Sequence, residues 1–501
     1  MIMTSNAVSD PSFNLAAYVL EAGSRTPEKV ALSLLDGEAH EDWTYEQLIA
    51  AVRGTATGLL ETGLMPGDRV LMRLGNTPDF PVAYLAALAA GLVPVPTAAA
   101  LTAQEISKIL PQLKPRAILH DPAVPCPDSD TIITLDALRA MRDLPPSAYH
   151  MADANRLGYI IYTSGTSGKA TAVMHAHRAI TARRMMFDGW YGLQEDDRVL
   201  HAGAFNWTYT LGTGLMDPWT MGATALIPVA ETEATTLPAL IASHKATIFA
   251  AAPGVYRQML RDQAPLYLPH LRHGLSAGEK MTALVRETWG EVTNTPVFEA
   301  FGMSECSTFV SGSPQTPAKE GAIGTAQPGR KVVIHTAKGD ARPNTPGTIA
   351  IHRSDPGLML GYLDDPALTA SKFDGDWFLT GDQGMMDADG QITYVGRTDD
   401  MMNAGGFRVS PLEVEETLLN APGVTGIGVT EVEVKKGTNV IAAFYTAAAP
   451  IKEYTLTDFA SAELARYKQP RLYIHVDALP TGGNGKLQRA ALRALYKASR
   501  S

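Results

Sequence analysis

Cysteine is nearly absent from this chain: Cys126 and Cys306 are the only two in 501 residues. So few thiols exclude a framework of disulfides. A basic segment followed by an apolar core is missing near Met1, so no secretory leader is expected. Together these observations predict a disulfide-free, cytoplasmic protein.

Long apolar runs are missing as well. The most apolar stretch, residues 80–101, is interrupted by Pro81, Gly91, Pro94 and Pro96. These interruptions favour a core helix followed by a strand over a membrane span. No long block of one charge sign occurs, and the formal net charge of -10 argues against nucleic acid or an anionic membrane as the main partner.

The remaining composition is that of a large globular protein, with 45% apolar and 19% charged residues. The length has room for about three domain-sized units. Helix and strand signals alternate early in the chain: a helix capped by Thr44 and Gln47, a strand at 68–74, a helix at 80–90, a strand at 93–96, a helix capped by Thr102 and Glu105, and a strand at 116–119. This alternation predicts an α/β fold with helix-covered parallel sheets.

A short predicted strand, residues 159–162, runs directly into a loop in which Gly165 and Gly168 alternate with hydroxyl residues. Glycine lets a backbone turn close to a ligand, and hydroxyls and backbone N–H groups supply donors, as in a polyphosphate cradle. A flexible linker would not usually follow a buried strand. A Walker P-loop fails at two positions, because Thr163 replaces its first glycine and Ala170 its magnesium-binding hydroxyl.

The segment from Thr163 to His175 resembles the signature loop of the adenylate-forming enzymes: acyl-CoA synthetases, adenylation domains and luciferases. Their pattern is Thr-Ser-Gly-Ser/Thr-Thr/Ser-Gly, any residue, Pro-Lys-Gly-Val, any residue, His. The chain matches through Gly168 and again at Val173 and His175, whereas residues 170–172 read Ala-Thr-Ala instead of Pro-Lys-Gly. Around residues 205–219 the chain most resembles the benzoate-type and medium-chain acyl-CoA synthetases of this family.

Five later segments resemble the same family in its own order, at 275–279, 300–305, 377–382, 396–411 and 479–489. In this resemblance Phe301 would stack on adenine, Asp382 would bind ribose, and Arg397 would bind ribose or phosphate. Glu305 would hold Mg²⁺, which binds through a carboxylate together with substrate phosphates and waters. The implied cofactor-binding set is Thr163, Ser164, Gly165, Thr166, Ser167, Gly168, Lys169, Ala277, Gly278, Glu279, Phe301, Gly302, Met303, Ser304, Asp382, Arg397, Gly405 and Gly406.

The resemblance also implies the catalytic residues and a moving domain. Lys486, Glu305 and Arg408 would act in catalysis, with Lys486 in the place of the adenylation lysine. Asp399 would be the hinge between a large N-terminal domain, residues 1–396, and a small mobile α+β domain, residues 397–501. Gly405 and Gly406 would border the pantetheine tunnel.

An acyl pocket is expected where the aromatic residues of 204–210 fall. Phe205, Trp207 and Tyr209 alternate, which is equally typical of one buried face of a strand. In the resembled family this segment lines the acyl pocket, together here with Ser276 and Thr308. No lysine or arginine lies between Arg198 and Lys245, so a pocket at this place predicts a neutral apolar tail.

The resemblance implies a two-step reaction with ATP, Mg²⁺ and coenzyme A. A carboxylic acid, expected to be an aromatic or short-to-medium-chain monocarboxylate, is converted to an acyl-adenylate and then to an acyl-CoA. The partners are accordingly small molecules. Two alternatives stay open: an adenylation enzyme that loads a carrier-protein pantetheine, and a nucleotide- or acyl-binding pseudoenzyme, which the missing loop lysine at Thr171 suggests.

Overall fold

The computed structural model describes residues 12–37, 39–163, 171–229, 232–261, 265–404, 407–435, 438–482 and 487–499, without the side chains at 163, 403, 404, 407, 408 and 438. The chain forms two compact units. The first contains the described residues up to Lys331 together with Ile351–Phe378, and the second contains Val332–Ala350 and the described residues from Leu379 onwards.

The helices are mostly short, and several begin at a side-chain cap. Thr44 and Thr102 each form a capping box, as predicted, with Gln47 and Glu105. The α-helices are α1 (Leu15–Leu20), α2 (Tyr45–Glu61), α3 (Asp79–Ala89), α4 (Ala103–Leu113), α5 (Leu135–Met141), α6 (Ala179–Arg183), α7 (Asp217–Met221), α8 (Leu237–Ser243), α9 (Pro253–Met259), α10 (Ala283–Thr293), α11 (Pro366–Ser371), α12 (Pro411–Leu418), α13 (Glu453–Glu463) and α14 (Arg489–Ala498).

Two π-helical segments, Phe187–Tyr191 and Thr210–Met216, and two 3₁₀ turns, Gly23–Arg25 and Ala234–Thr236, complete the described helical structure. None of the helices in the described ranges is long and apolar enough to cross a membrane. Cys126 and Cys306 are both free thiols, in agreement with the sequence.

The strands are β1 (Val30–Asp36), β2 (Ala39–Thr44), β3 (Arg69–Arg73), β4 (Val93–Pro96), β5 (Ala117–His120), β6 (Ile132–Thr134), β7 (Leu157–Thr163), β8 (Thr171–Ala176), β9 (Arg198–Ala202), β10 (Thr224–Pro228), β11 (Ile248–Ala251), β12 (His273–Ala277), β13 (Val297–Met303), β14 (Ser307–Ser311), β15 (Thr325–Ala326), β16 (Val332–Thr336), β17 (Gly339–Asp340), β18 (Gly347–His352), β19 (Gly361–Tyr362), β20 (Phe373–Asp374), β21 (Trp377–Met386), β22 (Ile392–Arg397), β23 (Met402–Ala404), β24 (Phe407–Val409), β25 (Gly426–Lys435), β26 (Thr438–Thr446) and β27 (Leu472–His475).

The first unit is built on a nine-stranded sheet with the strand order β15-β14-β13-β12-β11-β9-β10-β1-β2. Its central strands, from β13 to β1, are parallel, and antiparallel strands close both edges. Separate apolar clusters cover its two faces, one around Trp289 and the other around Trp190. Because parallel strands end at the same edge, the segments after β12 and β13 lie side by side.

A second, parallel sheet has the order β4-β3-β5-β6. Strands β3, β4 and β5 and the neighbouring helices α2, α3 and α4 fall within about two residues of the predicted elements, and the α/β class is confirmed. The predicted strand 159–162 is β7. It pairs with β8, so the loop between them, residues 164–170, joins an antiparallel pair. That loop lies outside the described residues.

The segment 204–210 corrects one interpretation of the sequence. It is not a strand with a buried aromatic face: residues 205–207 form a turn, and a helical segment begins at Thr208. The alternation of Phe205, Trp207 and Tyr209 therefore does not place their rings on one surface.

The second unit contains the antiparallel pairs β16–β17, β21–β22 and β23–β24 and the sheet β25-β26-β27. Two of its apolar clusters are centred on Val429 and Phe444, under α12 and α14 respectively. Residues 332–350 and 379–396 belong to this unit. The predicted boundary between residues 396 and 397 marks where the mobile part of the chain is expected to begin, which is a different property from compactness. It stays a prediction.

Candidate active site

The hairpin β13–β14 carries the first group of predicted site residues. Phe301 pairs with Val310, Gly302 with Thr308 and Met303 with Ser307, with a register shift after Phe301. A Cβ atom at Gly302 would lie 2.3 Å from the carbonyl oxygen of Ser307, so only glycine lets the two strands approach this closely. The hairpin thus presents Ser304, Glu305 and Cys306 at its turn.

Glu305 is half-buried at this turn, and its carboxylate is oriented by a neighbour. The hydroxyl of Tyr362 donates a hydrogen bond of 2.8 Å to Glu305 Oε1, and the N–H of Met359 donates to the carbonyl of Glu305 at 2.8 Å. On the other side, Nε2 of His175 lies 2.7 Å from the carbonyl oxygen of Ser304. Burial lowers the pKa of His175 to about 4, so the ring is neutral and Nε2 carries the donated proton.

The side chain of Cys306 packs into the protein interior at this turn. It is fully buried, and its Sγ lies 3.8 Å from the guanidinium of Arg330 and 3.8 Å from the carboxylate of Asp355. Arg330 and Asp355 form a buried ion pair. Burial, followed by the charge of Asp355, raises the pKa of the Cys306 thiol well above its usual value. The thiol is therefore structural.

The end of β12 divides its residues between the two sheet faces. Ala277 is buried on the face that packs against Trp190, Gly278 is exposed with φ +100°, and Glu279 is half-buried. Ser276 is fully buried and pairs in register with Glu299, on the opposite face. The structure therefore does not bring Ser276 together with Trp207 and Tyr209, and its place in the acyl pocket stays a prediction.

The three aromatic residues of the predicted pocket separate into two environments. Phe205 is buried in the core of the first unit, where its ring centroid lies 5.9 Å from that of Phe80. Trp207 is half-buried and meets Tyr209 edge-on at 5.1 Å. Tyr209 stacks on Trp190 at 5.8 Å and donates a hydrogen bond to the carbonyl of Leu275. Only Trp207 offers a partly open aromatic surface.

Thr308 belongs to the same neighbourhood as Tyr209. Its hydroxyl lies 2.7 Å from Sδ of Met186, and Met186 is buried in the cluster that contains Tyr209 and Trp190. Phe301, half-buried on the neighbouring strand, meets Phe309 edge-on at 5.3 Å. The hairpin therefore places Thr308 towards the aromatic cluster.

In the second unit, Asp382 and Arg397 lie opposite each other on β21 and β22. Asp382 is 4% exposed, accepts a hydrogen bond of 2.9 Å from Tyr394, and lies 3.6 Å from the guanidinium of Arg397. Arg397 Nε also donates to Asp399 at 3.1 Å. Burial and the charge of Asp382 raise the pKa of the Tyr394 hydroxyl well above its usual value, so this hydroxyl stays a donor.

The structure does not bear on the remaining predicted residues. Lys486, Gly405, Gly406 and the loop residues Ser164, Gly165, Thr166, Ser167, Gly168 and Lys169 lie outside the described residues, as do the side chains of Thr163 and Arg408. Their roles stay predictions.

The chemistry of Glu305 fits Mg²⁺. A half-buried carboxylate beside hydroxyl residues suits an ion that takes one or two carboxylates and completes its coordination with phosphates and waters. Within the described ranges no cluster of three or more histidine, cysteine, aspartate or glutamate side chains is positioned to hold a metal.

Sequence reasoning missed a buried ion pair behind the hairpin. Arg183 and Asp217 form two hydrogen bonds, from Nε to Oδ1 at 2.7 Å and from an η-nitrogen to Oδ2 at 2.6 Å. The π-helical segment Thr210–Met216 leads into Asp217, and a Cβ atom at Gly212 would lie 2.2 Å from the guanidinium. Gly212 was the one available signal, but a glycine alone does not identify its neighbour.

Comparison with known proteins extends these observations to the whole chain. The family described as AMP-binding enzyme matches residues 19–363, and its C-terminal domain matches residues 413–486. The human mitochondrial acyl-coenzyme A synthetase ACSM2A is 28% identical, over 96% of this chain and 90% of that protein. The 3-hydroxybenzoate–CoA ligase of Aromatoleum sp. (strain CIB) is 28% identical, over 91% and 92%.

Two solved structures have the same fold over nearly the whole of this chain. ATP-bound MatB from Rhodopseudomonas palustris matches with a TM-score of 0.87 at 26% identity, over 98% of this chain and 100% of that one. A benzoate CoA ligase from Burkholderia xenovorans LB400 matches with a TM-score of 0.84 at 26% identity, over 96% and 100%. The fold is thus that of an adenylate-forming enzyme. The chain belongs to the AMP-binding enzyme family, which confirms the resemblance seen in the sequence.

Proposed function

We propose that the protein is an AMP-forming carboxylate–CoA ligase acting on an aromatic or short-to-medium-chain monocarboxylate. The observation that carries the proposal is the β13–β14 hairpin, which presents Glu305 with its carboxylate fixed by Tyr362 in a chain of this family. The half-buried Trp207 supports an apolar acyl group. Two similar proteins, the 3-hydroxybenzoate–CoA ligase and ACSM2A, are named for the same type of reaction.

In the first proposed step, a carboxylate oxygen bonds to the α-phosphorus of ATP, and pyrophosphate leaves with the electrons of the broken phosphorus–oxygen bond. In the second, the sulfur of CoA bonds to the acyl carbon, its proton is lost, and AMP leaves. Catalysis of the first step rests on positioning and charge neutralisation. Lys486 is proposed to contact the reacting oxygens, and Phe301 and Asp382 to position adenine and ribose.

Glu305 is proposed to hold Mg²⁺, which when bound would neutralise charge on the phosphates. The loop 163–169 is proposed to bind pyrophosphate. Transfer to CoA then requires Lys486 to leave the site, by rotation of the C-terminal domain about Asp399. A cytoplasmic location, without nucleic acid or an anionic membrane as the main partner, remains a prediction from composition.

The deciding experiment measures pyrophosphate and AMP release over a panel of carboxylic acids, with and without CoA. Acid-dependent pyrophosphate release and CoA-dependent AMP release are expected together. AMP release that needs a carrier-protein pantetheine instead of CoA would assign the enzyme to carrier loading. No pyrophosphate release with any acid, in protein that binds ATP, would favour the pseudoenzyme.

A further inference from the structure

A small cavity of about 50 Å³ lies within the first unit beside the hairpin. Met303, Ser304 and Ser307 form one wall, and Thr208 and Leu211, which follow Trp207 in the chain, form another. The cavity therefore touches both segments assigned to substrate: the turn that presents Glu305 and the segment predicted to line the acyl pocket.

Two tyrosines line this cavity with their hydrogen-bonding capacity unused. Tyr84 is 3% exposed, Tyr159 is half-buried, and their rings meet edge-on at 6.2 Å. Within the described part of the chain, neither hydroxyl makes a hydrogen bond. Burial raises the pKa of Tyr84 well above its usual value and that of Tyr159 to about 12, so both hydroxyls are protonated donors at neutral pH.

Among the described residues of the wall, Arg183 is the one charged group, and it is already neutralised. Its guanidinium is bound by both oxygens of Asp217 and donates to Ser307 Oγ at 2.5 Å. A second carboxylate on the substrate would find no uncompensated cation among the described residues of this wall, and an ammonium group would face the guanidinium. The cavity therefore favours an uncharged occupant that can accept or donate hydrogen bonds.

The volume limits the size of that occupant. A cavity of roughly 150 Å³ is needed for benzene, whereas one water occupies about 10–15 Å³ of such space. The 50 Å³ present here suits about three or four non-hydrogen atoms and excludes an aromatic ring. A buried hydroxyl left without a hydrogen-bond partner is unfavourable, so an occupant with an oxygen atom is favoured over a purely aliphatic one.

We infer that this cavity receives the end of the acyl group, and that the preferred substrate is a short aliphatic acid carrying an uncharged hydroxyl that Tyr84 and Tyr159 bind. The inference rests on the proposed ligase activity and narrows its substrate class from aromatic or short-to-medium-chain monocarboxylates to short hydroxy acids. Tyr84 and Tyr159 become specificity-determining residues of the pocket.

The test compares butyrate with 2-, 3- and 4-hydroxybutyrate and with benzoate, at fixed MgATP, by pyrophosphate release. At least one hydroxybutyrate should exceed butyrate and benzoate by tenfold or more in kcat/KM, because a site built to bind a hydroxyl rejects the analogue that lacks it. Tyr84→Phe and Tyr159→Phe should each reduce the ratio of hydroxybutyrate to butyrate by about tenfold. The exposed Tyr454→Phe, matched in chemistry, should leave that ratio unchanged.

The possible outcomes distinguish the proposed substrate class from the proposed ligase activity. Butyrate or benzoate turned over at least as well as every hydroxybutyrate would overturn the substrate class and leave the ligase activity standing. A hydroxyl preference that survives both phenylalanine variants would overturn the role of the tyrosines. No pyrophosphate release with any acid would overturn both proposals. The wild-type comparison needs no variant, so poor folding of Tyr84→Phe or Tyr159→Phe cannot mask the result.

Discussion

The hydroxyl of Tyr362 lies 2.8 Å from Oε1 of Glu305 and donates a hydrogen bond to it. The two residues are far apart in sequence, on the short strand β19 and at the turn of the β13–β14 hairpin. Since Glu305 is the one carboxylate proposed to hold Mg²⁺, the direction of its second oxygen depends on this contact. Tyr362 is thus a positioning residue for the metal-binding carboxylate.

Tyr362→Phe should therefore raise the Mg²⁺ concentration needed for half-maximal pyrophosphate release by about tenfold, and change kcat at saturating Mg²⁺ by much less. A hydrogen bond to a charged group contributes about 1.5–3 kcal/mol, part of which the metal itself recovers once bound. The measurement is initial rate against Mg²⁺ at fixed free ATP. An unchanged Mg²⁺ dependence, with a lower kcat at all concentrations, would show that Tyr362 supports the fold and not the carboxylate.

The buried pair Arg183–Asp217 gives a prediction about stability. Removing one partner leaves an uncompensated buried charge, so Arg183→Met and Asp217→Asn should each lower the free energy of unfolding by about 3–5 kcal/mol. The double variant should cost clearly less than the sum of the two, since no charge is then stranded. Urea unfolding of the four proteins measures this. Strict additivity would mean that the two side chains are not coupled.

Local interactions made much of the fold predictable. The capping boxes at Thr44 and Thr102 depend on residues three apart, and the strands near 69–73 and 117–120 on apolar runs, so both are visible in the sequence. The Glu305 turn was recognisable because its residues are contiguous. Asp382 was recognisable for the same reason, because it is the last residue of the contiguous segment 377–382.

Long-range geometry was not predictable. Arg183 and Asp217 are 34 residues apart, and the π-helical segment Thr210–Met216 leads directly into Asp217. No local sequence signal distinguishes a π-helical segment from an ordinary α-helix. At Phe205–Tyr209, likewise, no local signal distinguishes the observed turn and start of a helix from a strand. The cavity of Tyr84 and Tyr159 likewise combines α3 with β7, which only the packed structure brings together.

Four buried histidines predict how stability responds to acid. Burial lowers the pKa of His177 and His201 to about 3 and that of His175 and His273 to about 4. In the unfolded chain each would protonate near 6.5, so between these values the unfolded state binds more protons and stability falls as the pH decreases. Each histidine should contribute about 1.4 kcal/mol per pH unit below pH 6.5.

The check is the free energy of unfolding, measured by urea between pH 5 and 8.5. His201→Gln should reduce the slope below pH 6.5 by one proton, whatever its effect on stability at neutral pH. Above pH 7.5, where histidine is neutral in both states, variant and wild type should have the same slope. An unaltered slope at low pH would mean that His201 is protonated in the folded protein.

Lys486 should be required for adenylate formation alone. Lys486→Ala removes a charge proposed to contact the reacting oxygens, and the loss should be on the order of a hundredfold or more in acid-dependent pyrophosphate release. Thioester formation from synthetic acyl-adenylate should be retained. Parallel loss of both half-reactions would contradict the assigned role.

Asp399 gives the opposite expectation, and the structure supplies its control. Proline fixes φ and restricts the preceding residue, so Asp399→Pro should freeze the proposed hinge: pyrophosphate release is retained, and thioester formation slows by tenfold or more.

Because the Asp399 carboxylate accepts a hydrogen bond from Arg397, the proline variant also removes an ion pair. Asp399→Ala removes the same ion pair and leaves rotation free. Because the Asp399 side of this ion pair is exposed, the pair should contribute little to the stability of the protein. The alanine variant should therefore retain the rates of both half-reactions within about threefold. Slow thioester formation in both variants would assign the effect to the lost contact with Arg397, and normal thioester formation in the proline variant would place the hinge elsewhere.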